Sequence, residues 1–240
     1  MAGVDFSVQG LEVLISGGCG GIGGAMAEAF LTHGAQVTVT DLQPPPPSLS
    51  DAGARYIPLD VTSDVQVNAL AEKTNRLDVL IHCAGKLIRW EEHNPEVFRN
   101  IVDVHLFGNI RLATAFRPHL RQKPGCIINI ASMYSYFGAP QIPAYAAAKT
   151  GVVGLTRSLA LAYAEDGIRV NAIAPGWIET SISRGGREDP VFNEKLMLRL
   201  PNKRWAKPAE LAGTALFLAS PASALITGVT IPVDGGYTSA

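Results

Sequence analysis

The chain has 240 residues, 47% of them hydrophobic, and a formal net charge of -1. That is enough material for one sizeable core in an α/β domain, and the even charge balance leaves no electrostatic footprint for nucleic acid or an anionic membrane surface. Apolar runs are broken by Gly, Pro or polar residues well short of a membrane span.

In chain order, LEVLIS (11–16), AQVTVTD (35–41), ARYIPLD (54–60), LDVLIHCAG (77–85), GCIINIAS (125–132), IRVNAIAPG (168–176) and VTIPVDGG (229–236) read as strands. Helical patterns lie between them at 23–33, 63–75, 95–121, 143–165 and 208–220, several opening on Pro, Ser or Asp near the first turn. Strands rich in Val and Ile alternating with helices predict a mostly parallel, doubly wound sheet of seven strands, covered by helices on both faces. Two stretches break the rhythm. QPPPPSLSDAG (43–53) replaces an expected helix with a stiff proline-rich connection. The polar segment 178–207 reads as a flexible loop with one short helix, a natural substrate lid. Neither a repeat nor a linker divides the chain, so one domain over 1–240 is expected.

No N-terminal stretch combines a basic region, an apolar run and a cleavage site, so no signal peptide is expected. Cys19, Cys83 and Cys126 are widely spaced, without a CxxC pair. They read as reduced thiols of a cytoplasmic protein, neither metal ligands nor a disulfide framework.

The first strand runs into SGGCGGIGGAMAEAF (16–30), a glycine-rich turn that becomes a helix. Phosphates need close backbone approach and free N–H donors, which glycines before a helix N-terminus supply. A tight turn packed for its own sake is the plainer alternative. Asp41 ends the second strand, 18 residues after Gly23, where an acid hydrogen-bonds ribose hydroxyls and repels a 2′-phosphate. Neither 16–24 nor 39–50 contains Arg or Lys to receive that phosphate. NAD is therefore expected over NADP, unless Asp41 is only a solvated loop carboxylate.

Ser16-Gly17-x-x-x-Gly21-Ile22-Gly23 resembles the glycine turn of the short-chain dehydrogenase/reductases, in their compact branch. Further matches follow in family order: Asp60-Val61, Ala84-Gly85, Ser132, Tyr145-x-x-x-Lys149, Asn171, Pro175-Gly176 with Thr180, and Val233-Asp234-Gly235-Gly236. The interval from Ser132 to Tyr145, 13 residues, is also the family's. The resemblance covers almost the whole chain. It implies a Rossmann-like domain, a nicotinamide cofactor, and hydride transfer between a secondary alcohol and a ketone. It places Ser16, Gly17, Gly21, Ile22, Gly23, Asp41, Asp60, Val61, Ala84, Gly85, Pro175, Gly176, Ile178 and Thr180, with Tyr145 and Lys149, at the cofactor.

Tyr145 and Lys149, at i and i+4, share a helix face. A tyrosine is a weak acid, with a reference pKa near ~10, and a neighbouring ammonium favours its phenolate. Tyr145 is therefore expected as acid and base, Lys149 as its tuner, and Ser132 as a donor to the substrate oxygen. The plainer readings are a strand-end cap for Ser132 and a solvated helix residue for Lys149.

Departures from the family pattern are informative. His105 stands where the family has an Asn before Leu-x-Gly, and its imidazole either joins the proton relay or packs beneath the site. His82-Cys83 replaces two asparagines that brace the central strands, which puts stability in question.

Arg89, Met133, Tyr134, Gln141, Trp177 and Trp205 flank the expected pocket. GKLIRW (85–90), IINIASMYSYFG (127–138), APGWIET (174–180) and KRWAKPAEL (203–211) are similar to the family's sugar-acid branch. A sugar acid or polyol would let Arg89 grip a carboxylate. Met133, Tyr134 and Trp177 equally suit a hydrophobic or cyclic alcohol or ketone, or a 3-oxoacyl substrate. A non-catalytic NAD sensor or scaffold is the alternative of another class. The family further implies a homotetramer, with a homodimer as the alternative.

Overall fold

The computed structural model describes residues 3–240. Seven strands form one sheet: β1 (Glu12–Ser16), β2 (Gln36–Asp41), β3 (Arg55–Pro58), β4 (Val79–His82), β5 (Cys126–Ile130), β6 (Arg169–Pro175) and β7 (Thr230–Val233). Their order is β3-β2-β1-β4-β5-β6-β7, and every pairing is parallel. The helices are α1 (Gly21–Thr32), α2 (Pro47–Asp51), α3 (Asp64–Glu72), α4 (Pro95–Val102), α5 (Gly108–Leu120), α6 (Pro143–Ala162), α7 (Arg184–Glu188), α8 (Pro190–Arg199) and α9 (Ala209–Ala219).

Alternation along each strand splits the core into two layers. Val13, Ile15, Val37, Val39, Ile81 and Ile128 face α1 and α9, where Met26, Phe30, Leu211 and Leu218 are buried. Leu14, Leu80, Ile127 and Val170 face the other way, onto Leu70, Leu112, Phe116 and Leu159 of α3, α5 and α6. A strand buried on both faces must be apolar at nearly every position, which explains the VLI runs of β1 and β4 and the CII run of β5.

Three local expectations change. The proline-rich stretch does contain a helix, α2. Pro47 occupies its first turn, where no N–H is needed, and buried Leu49 anchors it to the core. The expected helix over 95–121 is interrupted by a π-helical turn, Asp103–Phe107, that carries His105. Segment 178–207 holds two helices, α7 and α8, instead of one. They are secured by an Ile178–Ala206 bridge and by Leu196, Leu200 and Trp205 in a small apolar cluster. Among the described residues no helix is long and apolar enough to cross a membrane.

Candidate active site

Strand order reverses between β1 and β4, and the segments leaving these two strands open a crevice there. A cavity of ≈ 490 Å³ occupies it, lined by Gly17, Gly21, Ile22 and Gly23 after β1, and by Asp41 after β2. Asp60 and Val61 after β3, and Ala84, Gly85 and Arg89 after β4, continue its wall. Ser132, Met133, Tyr134 and Tyr145, with Pro175, Gly176, Trp177, Ile178 and Thr180, complete the lining.

The glycine turn fits a dinucleotide phosphate on its own geometry. Gly17 has φ +66°, and a Cβ there would stand 2.5 Å from the Ala84 nitrogen. Gly23 packs directly on the Gly17 carbonyl, leaving no room for a side chain. The backbone is thus drawn in, and α1 begins without a side-chain cap on its first N–H groups. Asp41 sits at the end of the neighbouring strand, where its Oδ1 accepts from Leu42 N at 2.8 Å.

Ser16 and Lys149, both expected at the cofactor, are buried and lie behind the cavity wall. Ser16 is fully buried, and its Oγ is 2.7 Å from His82 Nδ1. His82 Nε2 lies 3.3 Å from the Val104 carbonyl, so it is the protonated nitrogen and Ser16 donates to Nδ1. Burial lowers the His82 pKa to about 3, so the ring is neutral. His82 therefore links β1, β4 and the π-helical turn.

Ser132 lies two residues past β5 and caps a short 3₁₀ turn, Met133–Ser135, its Oγ accepting from Tyr134 N at 3.1 Å. The cap uses acceptor capacity and leaves the hydroxyl proton for another partner. Tyr145 enters from the first turn of α6. His105 meets its ring edge-on at 5.1 Å between centroids, and Tyr134 does so at 6.3 Å. Lys149, one turn on, is buried, with Nζ 5.6 Å from the Tyr145 ring centre and donating to the Ile130 carbonyl at 2.6 Å.

The electrostatics depart from the expected picture. Burial lowers the Lys149 pKa to about 8, whereas it raises that of Tyr145 above its ordinary value. The Ser132 hydroxyl works against that rise, and the nearby Glu92 carboxylate adds to it. The expected depression of the tyrosine pKa is thus absent here, because desolvation outweighs the favourable neighbours.

His105 is also buried. Its Nε2 lies 2.7 Å from the Lys86 carbonyl, its Nδ1 has no partner in the protein, and burial holds its pKa well below 6.5. On the substrate side, Arg89 is half-buried on the cavity wall and has no carboxylate partner among the described residues. Tyr134 and Trp177 stand edge-to-face at 6.0 Å, and Trp205 meets Trp177 at 5.3 Å. Gln141 lies off the wall, its carbonyl accepting from Trp90 N at 2.7 Å. Sequence reading missed Glu92, which is fully buried and accepts from Tyr145 N at 2.9 Å. Within WEEH it looks like a solvated acid, and only its distant partner distinguishes it.

Comparison with known proteins agrees with this arrangement. A family model described as enoyl-(acyl carrier protein) reductase, of the short-chain alcohol dehydrogenase type, matches residues 17–238. The 2-dehydro-3-deoxy-D-gluconate 5-dehydrogenase of Bacillus subtilis is 35% identical over 246 residues, spanning 98% of this chain and 97% of the relative. Meso-2,3-butanediol dehydrogenase of Serratia marcescens is 35% identical over 243 residues, spanning 95% and 94%. A crystal structure of a gluconate 5-dehydrogenase from Burkholderia cenocepacia, in complex with NADP and tartrate, superposes with a TM-score of 0.91. It is 33% identical, with 98% of each chain covered. With a parallel Rossmann-like sheet, a glycine turn at its switch point and this breadth of match, the chain belongs to the short-chain dehydrogenase/reductase family of nicotinamide-dependent oxidoreductases.

Proposed function

We propose that the protein uses NAD to interconvert a secondary alcohol and a ketone on a sugar acid or polyol, with Tyr145 as the proton-transferring residue. The carrying observation is that Ser132, Tyr145, the glycine turn and Asp41 line one cavity, with Lys149 buried behind them. Gly17, Gly21, Ile22 and Gly23 would hold the pyrophosphate, and Asp41 the adenosine ribose. Asp60, Val61, Ala84 and Gly85 would flank the adenine half, and Pro175, Gly176, Ile178 and Thr180 the nicotinamide half. When bound, the dinucleotide supplies or accepts hydride.

The Tyr145 hydroxyl gives its proton to the forming alkoxide in reduction and withdraws one in oxidation. Ser132 donates to the same oxygen and steadies its charge. Lys149 favours the phenolate when Tyr145 ionises. His105 is assigned to bracing instead of proton relay, since its ring is held neutral and its Nε2 is engaged by Lys86. NAD is favoured over NADP because Asp41 would face the ribose and no Arg or Lys is near in sequence to receive a 2′-phosphate.

The free guanidinium of Arg89 on the wall supports a carboxylate-bearing substrate, as do the names of the gluconate-type relatives. A second reading, a compact hydrophobic, cyclic or 3-oxoacyl substrate, draws on the aromatic wall of Tyr134 and Trp177. A panel of sugar acids, polyols, cyclic secondary alcohols and 3-oxoacyl thioesters, run with NAD(H) and NADP(H), tests the choice. Sugar acids turning over no better than cyclohexanol would overturn the first reading. NADH binding without turnover anywhere would revive the sensor. The same proposal includes one domain over 1–240, with 178–207 as a lid over the substrate, and a cytoplasmic homotetramer. Its mass is readable by light scattering, with a homodimer the alternative outcome.

A further inference from the structure

Glu92 is fully buried, yet no Lys, Arg or His pairs with it among the described residues. Its two oxygens serve backbone amides of separate segments. Oε1 accepts from Ile88 N at 3.1 Å, beside Arg89, and Oε2 from Tyr145 N at 2.9 Å. Tyr145 N lies in the first turn of α6, where amides lack intrahelical partners and the helix dipole favours negative charge. The residue preceding α6, Ile142, gives no side-chain cap. The missing cap is supplied from 53 positions away.

The chain is bent to deliver it. Trp90 takes a left-handed φ of 70°, which a side chain of that size adopts only when its surroundings enforce it. Trp90 N donates to the Gln141 carbonyl, and His93 Nε2 lies 2.7 Å from the Pro140 carbonyl. The 88–93 segment is thereby fastened to the loop that opens α6, with the carboxylate at its centre.

We propose that Glu92 is a positioning residue for the reaction, locking Tyr145 to the segment that carries Arg89. The proposal rests on the assignment of Tyr145 as the proton-transferring residue. Several groups face that ring: Lys149 from α6, His105 from the π-helical turn, and Ser132 and Tyr134 from the turn after β5. His82 and His105 are both held neutral by burial. Arg89 belongs to the tethered segment and acts on Tyr134, and Lys86 lies just before it, its backbone meeting His105. The fixed charge that acts on the Tyr145 hydroxyl is therefore that of Glu92, which disfavours the phenolate. Removing the carboxylate charge favours the phenolate.

Glu92→Gln is nearly isosteric and neutral, and offers one oxygen to two amides. Three measurements on the full chain follow: NADH binding, amide exchange at Ile88 and Tyr145, and the pH dependence of kcat and KM. NADH affinity should stay within about threefold. Exchange at one or both amides should accelerate at least tenfold, and kcat should fall about tenfold or more. The limb of the pH profile assigned to Tyr145 should move down by about half a pH unit or more. Glu92→Asp keeps the charge but shortens the reach, so it should retain the wild-type limb while losing kcat. Unchanged exchange in Glu92→Gln, or a limb that superposes on wild type, overturns the proposal. If Glu92→Gln does not fold, a wild-type kcat in Glu92→Asp does the same. Exchange needs no substrate, so loss of protection in a protein that turns over nothing would fault the functional reading and leave the tether intact.

Discussion

Replacing Lys149 with Met should abolish turnover and yet make the protein slightly more stable at neutral pH. Lys149 is 4% exposed, and burial lowers its pKa from 10.5 to about 8. A tenfold loss of proton affinity corresponds to about 1.4 kcal/mol, so folding the charged form costs about 3 kcal/mol. Against this, the variant loses the hydrogen bond to the Ile130 carbonyl, a charge-assisted contact of about 2 kcal/mol. The net gain at pH 7 is about 1 kcal/mol, or roughly 2–4 °C in Tm for a chain of this size. Between pH 8 and 10.5 the unfolded chain holds the Lys149 proton and the folded chain releases it, so wild-type stability rises with pH there. By about pH 9.5 wild type should have recovered about 2 kcal/mol and overtaken the variant. Urea unfolding of both proteins at pH 7 and 9.5 measures this. A Lys149→Met protein less stable than wild type at pH 7, by an amount that does not change with pH, would refute the argument.

Tyr145→Phe should bind NADH as wild type does and lose turnover by about 10²–10⁴-fold. Unaltered turnover on the best substrate would remove Tyr145 from the chemistry. Asp41→Asn should raise the NADP-to-NAD ratio of kcat/KM by tenfold or more, since a carboxylate no longer meets the 2′-phosphate. An unchanged ratio would assign cofactor choice elsewhere. His105→Asn should raise KM through the lost Nε2 anchor at Lys86 and leave the pH profile in place, whereas a displaced profile would return His105 to the proton relay.

The alternation of strands and helices, the glycine turn, Asp41 and the spacing of Ser132, Tyr145 and Lys149 were all readable in the sequence, because each is imposed locally. A glycine at φ +66° pressed against another backbone, or an i, i+4 pair on one helix face, leaves its mark within a few residues. The helix inside QPPPPSLSDAG was hidden by its prolines, although Pro47 falls where a helix tolerates it and Leu49 supplies the buried anchor. In 178–207, where one short helix was expected, α8 is held by Phe192 and Leu196 packing in the cluster of Trp177 and Trp205, which its own pattern does not reveal.

Other features exist only in three dimensions. His82 links neighbouring elements by reaching Ser16, 66 positions away, and the Val104 carbonyl. Glu92 finds its meaning at the amide of Tyr145, 53 positions on. The direction of the tyrosine's pKa shift has the same origin. A lysine four residues away is visible in the sequence, but the desolvation that raises the Tyr145 pKa depends on everything packed around the ring. Sequence by itself determined which groups meet at the switch point, through backbone demands written locally. Tertiary structure decided how strongly each is held and charged, because burial and long-range hydrogen bonds belong to no single stretch of chain.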